Sequence, residues 1–144
     1  FGDTGRLTPL VKMHTLGSQF IPPATHSGGL RYHGMAPMVS HLKEIGAIEA
    51  QAFGQKECFE AGVNFARVEG IVPAPEATHA VKGAIEAALE CKKNGQSKTI
   101  LFNLCGHGHF DMTAYGDYFD NKLAEDNYDE AGVNKALEKL PKIA

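Results

Sequence analysis

The chain is poor in several things, and each shortage removes a class of function. It has no surplus of positive charge: 14 Lys and Arg stand against 17 Asp and Glu, a formal net charge of -3, and no basic block occurs. A nucleic-acid surface draws its affinity from clustered Lys and Arg, so that class is excluded. No apolar run approaches the roughly 18 residues a membrane helix needs, so no membrane contact is expected. No charged-then-apolar leader is read at the start. Cysteine is scarce: Cys58, Cys91 and Cys105 are odd in number and lack the paired spacing of a zinc site. A reducing, cytoplasmic setting follows as the simple reading. Neither a Gly-x-Ser-x-Gly elbow, a GxGxxG fingerprint nor a Walker loop is found.

What is present is ordinary for a globular domain. Hydrophobic residues make up 43% and charged residues 22% of 144, enough for one domain with a core. Residues 2–32 are rich in Gly, Pro and Thr and read as loops, with at most a short strand near Leu10–Met13. So long an irregular stretch suggests a segment that lies against structure outside this sequence.

Periodicity then takes over. Met35, Met38, Leu42 and Ile45 share one helical face, and Gly46 is a natural stop. Ala47–Phe53 alternates like a strand. A second helix is expected from about Gln55 to Val68, with Gly62 marking close packing, because a mid-helix Gly costs about 1 kcal/mol against Ala. Pro73 and Pro75 break the pattern. Ala77, Ala80, Val81, Ala84, Ile85, Ala88 and Leu89 then recur at helical spacing from Glu76 to Lys93, with charges that suit the helix dipole. Thr99–Leu104 is a short apolar run suited to a strand buried on both faces of a parallel sheet. Gly106 and Gly108 end it, and Glu130–Leu140 reads as a short terminal helix. The element order is that of an α/β fold with a parallel sheet.

Chemistry has few places to sit. Ligands in open α/β sheets bind beyond the carboxyl ends of strands, which singles out the turn Leu104-Cys-Gly-His-Gly-His109. A tight turn with a buried cysteine fits the same residues. His107 and His109 suggest a metal, but no third or fourth ligand is evident, so no metal is expected. Glu76 reads either as a carboxylate favoured by a helix start or as one held at a ligand. Gly28-Gly-Leu-Arg-Tyr-His-Gly34 reads as a loop over a pocket or as plain surface.

Four segments in order carry a resemblance. Gly2-Asp-Thr-Gly-Arg-Leu-Thr-Pro-Leu10, Gly28-Gly-Leu-Arg-Tyr-His-Gly-Met-Ala-Pro37, Glu69-Gly-Ile-Val-Pro-Ala-Pro-Glu-Ala-Thr-His-Ala80 and Phe102-Asn-Leu-Cys-Gly-His-Gly-His109 resemble the C-terminal part of the second, divergent type of tryptophan synthase β chain. The resemblance implies an α/β, parallel-sheet, pyridoxal-phosphate (PLP) lyase that joins L-serine and indole into L-tryptophan. It assigns residues 1–120 to the catalytic chain and 121–144 to a tail. Cys105 falls where the family usually has a Ser that hydrogen-bonds the cofactor's pyridine nitrogen. Glu76 matches the carboxylate beside the ring. Gly29 lies in the segment that passes near the cofactor, and Gly106 follows Cys105 at the ring. Arg31 and Tyr32 fall on the substrate-side loop, where the main β family has an Asp. The reversed charge of Arg31 implies a meeting with an anionic group, so that phosphoserine competes with serine.

The family's Schiff-base lysine and Gly-rich phosphate loop match none of the 144 residues. The chain is therefore expected to be a fragment, inactive alone and without a catalytic residue of its own. The resemblance also implies a homodimer and, more weakly, an α-chain partner. Two other readings stay open on the residues: a stand-alone small-molecule-binding α/β domain, and a serine dehydratase-like lyase.

Overall fold

The computed structural model describes residue 5, residues 7–124 and residues 129–140. The chain divides into two compact units. One comprises Phe1–Pro23, Arg31–Ala50 and Asn127–Ala144; the other comprises Ala24–Leu30 and Gln51–Asp126.

The second unit carries the site. It contains helices α2 (Gln55–Glu69), α3 (Pro75–Lys93) and α4 (Met112–Phe119), and a single 3-10 turn at Gly28–Leu30. Helix α2 starts after Gly54, whose N–H donates to the Glu57 carboxylate at 2.6 Å. Helix α3 starts with Pro at its first position, where a missing N–H costs nothing. Ala74 before it is extended (φ -62°, ψ 151°), as a residue preceding proline must be. The α2–α3 pair closes tightly at Gly62: a Cβ there would stand 2.6 Å from Cγ2 of Thr78 and 3.0 Å from the Tyr115 hydroxyl. The sequence expectation of close packing at Gly62 is met.

Lys82 joins the same two helices. Its ammonium donates to Glu86 at 2.5 Å and lies 3.5 Å from Glu57. The hydrogen bond to Glu86, with both carboxylate charges, holds Lys82 above its ordinary pKa against the opposing cost of burial. The core of the unit is Phe59, Val63, Ala114, Tyr115 and Leu123, with Val72 and Tyr118 packed on it. Phe59 meets Tyr115 edge-on at 5.0 Å and stacks on Tyr118 at 5.9 Å. Burying each such ring stabilises by about 1.5–3 kcal/mol.

The first unit holds α1 (Pro37–Glu44) and α5 (Glu130–Leu137) and an isolated antiparallel bridge between Thr15 and Gly34. Asp129 caps α5 by accepting from the Gly132 N–H at 2.9 Å.

Four expected helices are present, but three expectations fail. No strand forms among the described residues: Leu10–Met13, Ala47–Phe53 and Thr99–Leu104 make no ladder. A strand exists only through hydrogen bonds to a neighbour, and these segments have none. Thr99–Leu104 is also not buried on both faces. Leu101 is 95% exposed, while Phe102, edge-on to Phe65 at 5.8 Å, and Leu104 are partly buried. The apolar stripe of α1 is likewise open, with Met38 80% and Ile45 59% exposed. Helix α4 was not foreseen, although Asp111 followed by Tyr115, Tyr118 and Phe119 has helical spacing.

Candidate functional site

Two backbone segments and one loop build the site. Val72-Pro73-Ala74 lies antiparallel to Gly106-His107-Gly108, with Pro73 opposite His107. The Gly108 N–H donates to the Val72 carbonyl at 2.7 Å, and the Ala74 N–H donates to the Gly106 carbonyl at 2.8 Å. Pro73 lacks an N–H, and this register asks for none from it. Glycine is needed at 108 because a Cβ there would stand 2.5 Å from the Pro73 carbonyl oxygen. The bridge thus fixes Gly106 beside Ala74, two residues ahead of Glu76 in the first turn of α3.

The loop Ala24–Leu30 approaches from a distant part of the sequence. The Gly29 N–H donates to Oε1 of Glu76 at 2.7 Å. A Cβ at Gly29 would sit 3.0 Å from that oxygen. The loop is held by its own 3-10 turn, in which the Leu30 N–H donates to the Ser27 carbonyl at 2.9 Å. His26 places its Nε2 3.5 Å from Oδ2 of Asp117 and sets its ring edge-on to Phe59. Gln55 is 4% exposed; its Nε2 donates to the Ala124 carbonyl at 2.8 Å and its Oε1 accepts from the His26 N–H at 3.5 Å.

The site residues therefore sort into two sets. Gly29, Glu76 and Gly106 come together with Cys105, which is exposed and in no disulfide. The reading of a buried cysteine in the turn is corrected: Val72–Ala74 packs on Gly106 and Gly108, and Cys105 stays exposed. Arg31 and Tyr32 belong to the other unit. There the Arg31 guanidinium donates to the Pro22 carbonyl at 3.2 Å, and Tyr32 is 47% exposed. The His107 and His109 rings lie tilted at 46° with centroids 4.9 Å apart, and the His109 N–H donates to Nδ1 of His107 at 3.3 Å. Among the described residues, no group of three or more His, Cys, Asp or Glu is arranged to hold a metal. No helix among them is long and apolar enough to cross a membrane.

No protein-family model matches the chain. Curated relatives do. The chain is 60% identical over 123 residues to tryptophan synthase beta chain 2 of Methanosarcina mazei, which is 85% of this chain and 28% of that one. It is 58% identical over 125 residues to the protein of the same name from Aquifex aeolicus, 87% of this chain and 29% of that one. The match to that of Thermotoga maritima is 57% over 115 residues, 80% of this chain and 27% of that one. Over this stretch the chain is similar to tryptophan synthase β chains. It spans less than a third of the length of these relatives.

Within this sequence, residues beyond the motifs also shape the site. Tyr115 is 4% exposed and its hydroxyl donates to the Pro73 carbonyl at 2.6 Å. Burial, aided by the nearby Asp111 charge, pushes its phenol up to about 12. Sequence reasoning passed over Tyr115, Gln55 and His26. A buried Tyr or Gln shows its partner only once the fold is known, and none of the three sits in a recognisable spacing.

Proposed function

We propose that this chain forms one wall of the PLP site of a tryptophan synthase β chain, in which L-serine exchanges its hydroxyl for indole to give L-tryptophan. The supporting observation is the meeting of three segments distant in sequence: Gly29 donates to Glu76 at 2.7 Å, and the Ala74–Gly106 hydrogen bond sets the Cys105 turn next to the start of α3. The residues fit a flat heteroaromatic ring. Gly29 and Gly106 carry no side chain, Cys105 offers an exposed thiol, and Glu76 offers a carboxylate whose position is fixed.

On this reading the Cys105 thiol faces the pyridine nitrogen as a weak hydrogen-bonding group, and Glu76 lies beside the ring. Gly29 and Gly106 let backbone pass close to it. When bound, PLP supplies the electron sink for the chemistry at the serine carbons. Because neither a thiol nor a hydroxyl forces the ring nitrogen to be protonated, the sink stays moderate and replacement is favoured over transamination. Arg31 and Tyr32 act from the substrate side, where the Arg31 cation accepts a phosphoserine phosphate.

The rest of the enzyme follows the same reading. Residues 1–120 are the C-terminal part of the catalytic chain and 121–144 its tail. Thr99–Leu104 pairs into a parallel sheet with strands from the remaining sequence, which also supplies the Schiff-base lysine. The enzyme works in the cytoplasm as a homodimer, with the tryptophan synthase α chain as a further partner.

The test is tryptophan formation from indole with L-serine or O-phospho-L-serine, using the β chain that carries this sequence. PLP should be retained through desalting and tryptophan should form. The 144-residue chain alone should do neither. Arg31→Ala should lower the phosphoserine rate relative to serine; unchanged discrimination would remove Arg31 from the site. Absence of PLP retention in the longer chain would sink the reading as a whole.

A further inference from the structure

We infer that Tyr115 is a positioning residue for the Cys105–Gly106 turn, acting through the Pro73 carbonyl. The inference rests on the PLP reading only for its functional consequence. The geometry stands by itself.

Pro73 is under 2% exposed, so its carbonyl oxygen has no route to water. Its partner strand cannot serve it, because the bridge bonds run from Val72 and Ala74 on either side. The Tyr115 hydroxyl supplies the hydrogen bond, at 2.6 Å. Without it a buried carbonyl is left unsatisfied at the centre of the bridge that sets Gly106.

The connection closes on itself. From Gly108 the chain turns, with the Asp111 N–H on the Gly108 carbonyl at 2.9 Å, and enters α4. One turn into α4, Tyr115 reaches back to Pro73 and lays its ring against Gly108, where a Cβ would come within 3.1 Å of Cε2. The Tyr115 ring is itself wedged edge-on against Phe59. The phenol therefore grips both segments of the bridge, one by hydrogen bond and one by contact. Cys105 and Gly106 hang from that grip on one side and Glu76 on the other, each within three residues of Pro73 or His107.

The experiment compares wild type, Tyr115→Phe and Tyr118→Phe in the full β chain with PLP. Tyr115→Phe keeps the ring and deletes the hydroxyl. Tyr118→Phe removes a phenol from the same core without touching the bridge. The first readout is amide exchange at Ala74 and Gly108, against Val81 in the middle of α3. The second is the PLP dissociation constant together with the cofactor's absorption maximum. Tyr115→Phe should speed Ala74 and Gly108 exchange at least tenfold more than Val81. It should also weaken PLP several-fold and shift its absorption, while Tyr118→Phe does neither. Equal acceleration at all three amides would mean general destabilisation and would overturn the inference. Selective acceleration in Tyr115→Phe together with a wild type that never binds PLP would leave the grip intact and remove the cofactor reading instead.

Discussion

Glu76 and Gly29 are 47 residues apart in sequence and joined by a hydrogen bond of 2.7 Å between a carboxylate and a backbone amide. The bond does two things. It brings a loop to the start of α3, and it fixes one carboxylate oxygen where the helix dipole already favours negative charge. A charge-assisted bond of this kind is worth about 1.5–3 kcal/mol when buried, and about 1 kcal/mol at a solvent-facing position such as this one. Glu76→Ala should therefore release the Ala24–Leu30 loop and leave the helices intact. The measurement is exchange at the Gly29 amide, expected to rise about fivefold or more with little change in Tm. On the proposed PLP reading, Gly29→Ala should instead crowd the Glu76 carboxylate, 3.0 Å from the added Cβ, and weaken PLP more than it weakens the fold.

Gly62 allows a cleaner stability test. Alanine in a helix gains about 1 kcal/mol over glycine. Here the added Cβ meets Cγ2 of Thr78 at 2.6 Å. Thr78 is fully buried, β-branched, and pinned by its hydroxyl to the Pro75 carbonyl at 2.6 Å, so it has little room to yield. Overpacking of this kind costs about 1–3 kcal/mol, so Gly62→Ala should be destabilising on balance. Adding Thr78→Ser deletes Cγ2 and keeps the hydroxyl bond. Chemical denaturation should show the double variant recovering stability over Gly62→Ala, and no recovery would count against the contact.

The phenol of Tyr115 makes stability depend on alkaline pH. Its value in the folded state is about 12, raised from an ordinary 10 chiefly by burial. Below pH 10 the phenol is neutral in both states and its contribution is complete. Between pH 10 and 12 the unfolded chain ionises first, so stability falls as pH rises. The loss is on the order of 2 kcal/mol. Lys82, also raised, adds a loss of the same sign as pH rises past its ordinary 10.5. Comparing unfolding free energies of wild type and Tyr115→Phe from pH 9 to 12 isolates the phenol. The variant's curve should be flatter, and parallel curves would contradict the assignment.

Gln55 ties the end of the α4 region back to α2. The amide is 4% exposed and donates to the Ala124 carbonyl. Gln55→Ala removes that bond to a carbonyl on an exposed residue, which water can reach, and should cost about 1 kcal/mol. Peptide-level exchange should locate the loosening around residues 122–124 and the 24–30 loop rather than in α3.

The sequence made the helices legible because their periodicity is local. α2 and α3 fall within two residues of the positions that apolar spacing and the Pro73 and Pro75 breaks indicate. The parallel sheet was not legible in the same sense. Thr99–Leu104 has the composition of a buried strand, but pairing is a property of two segments, and none pairs with it among the described residues. The stripe of Met38, Leu42 and Ile45 teaches the same lesson: a pattern states what a surface needs, and cannot state what covers it. In the candidate site, Glu76, Gly29 and Gly106 were readable from ordered motifs. Tyr115 and Gln55 were not, because each acts on a backbone carbonyl far away in sequence.

The open run from Ile100 to Leu104 has a consequence for handling the isolated chain. Leu101 presents nearly its whole side chain to water on a segment that makes no β-pairing among the described residues. Such an edge is a template for like segments in other molecules, the first step toward aggregation. Concentrated solutions of the 144-residue chain should show rising light scattering with time. Leu101→Lys should suppress it, since a charge at an edge repels its copy.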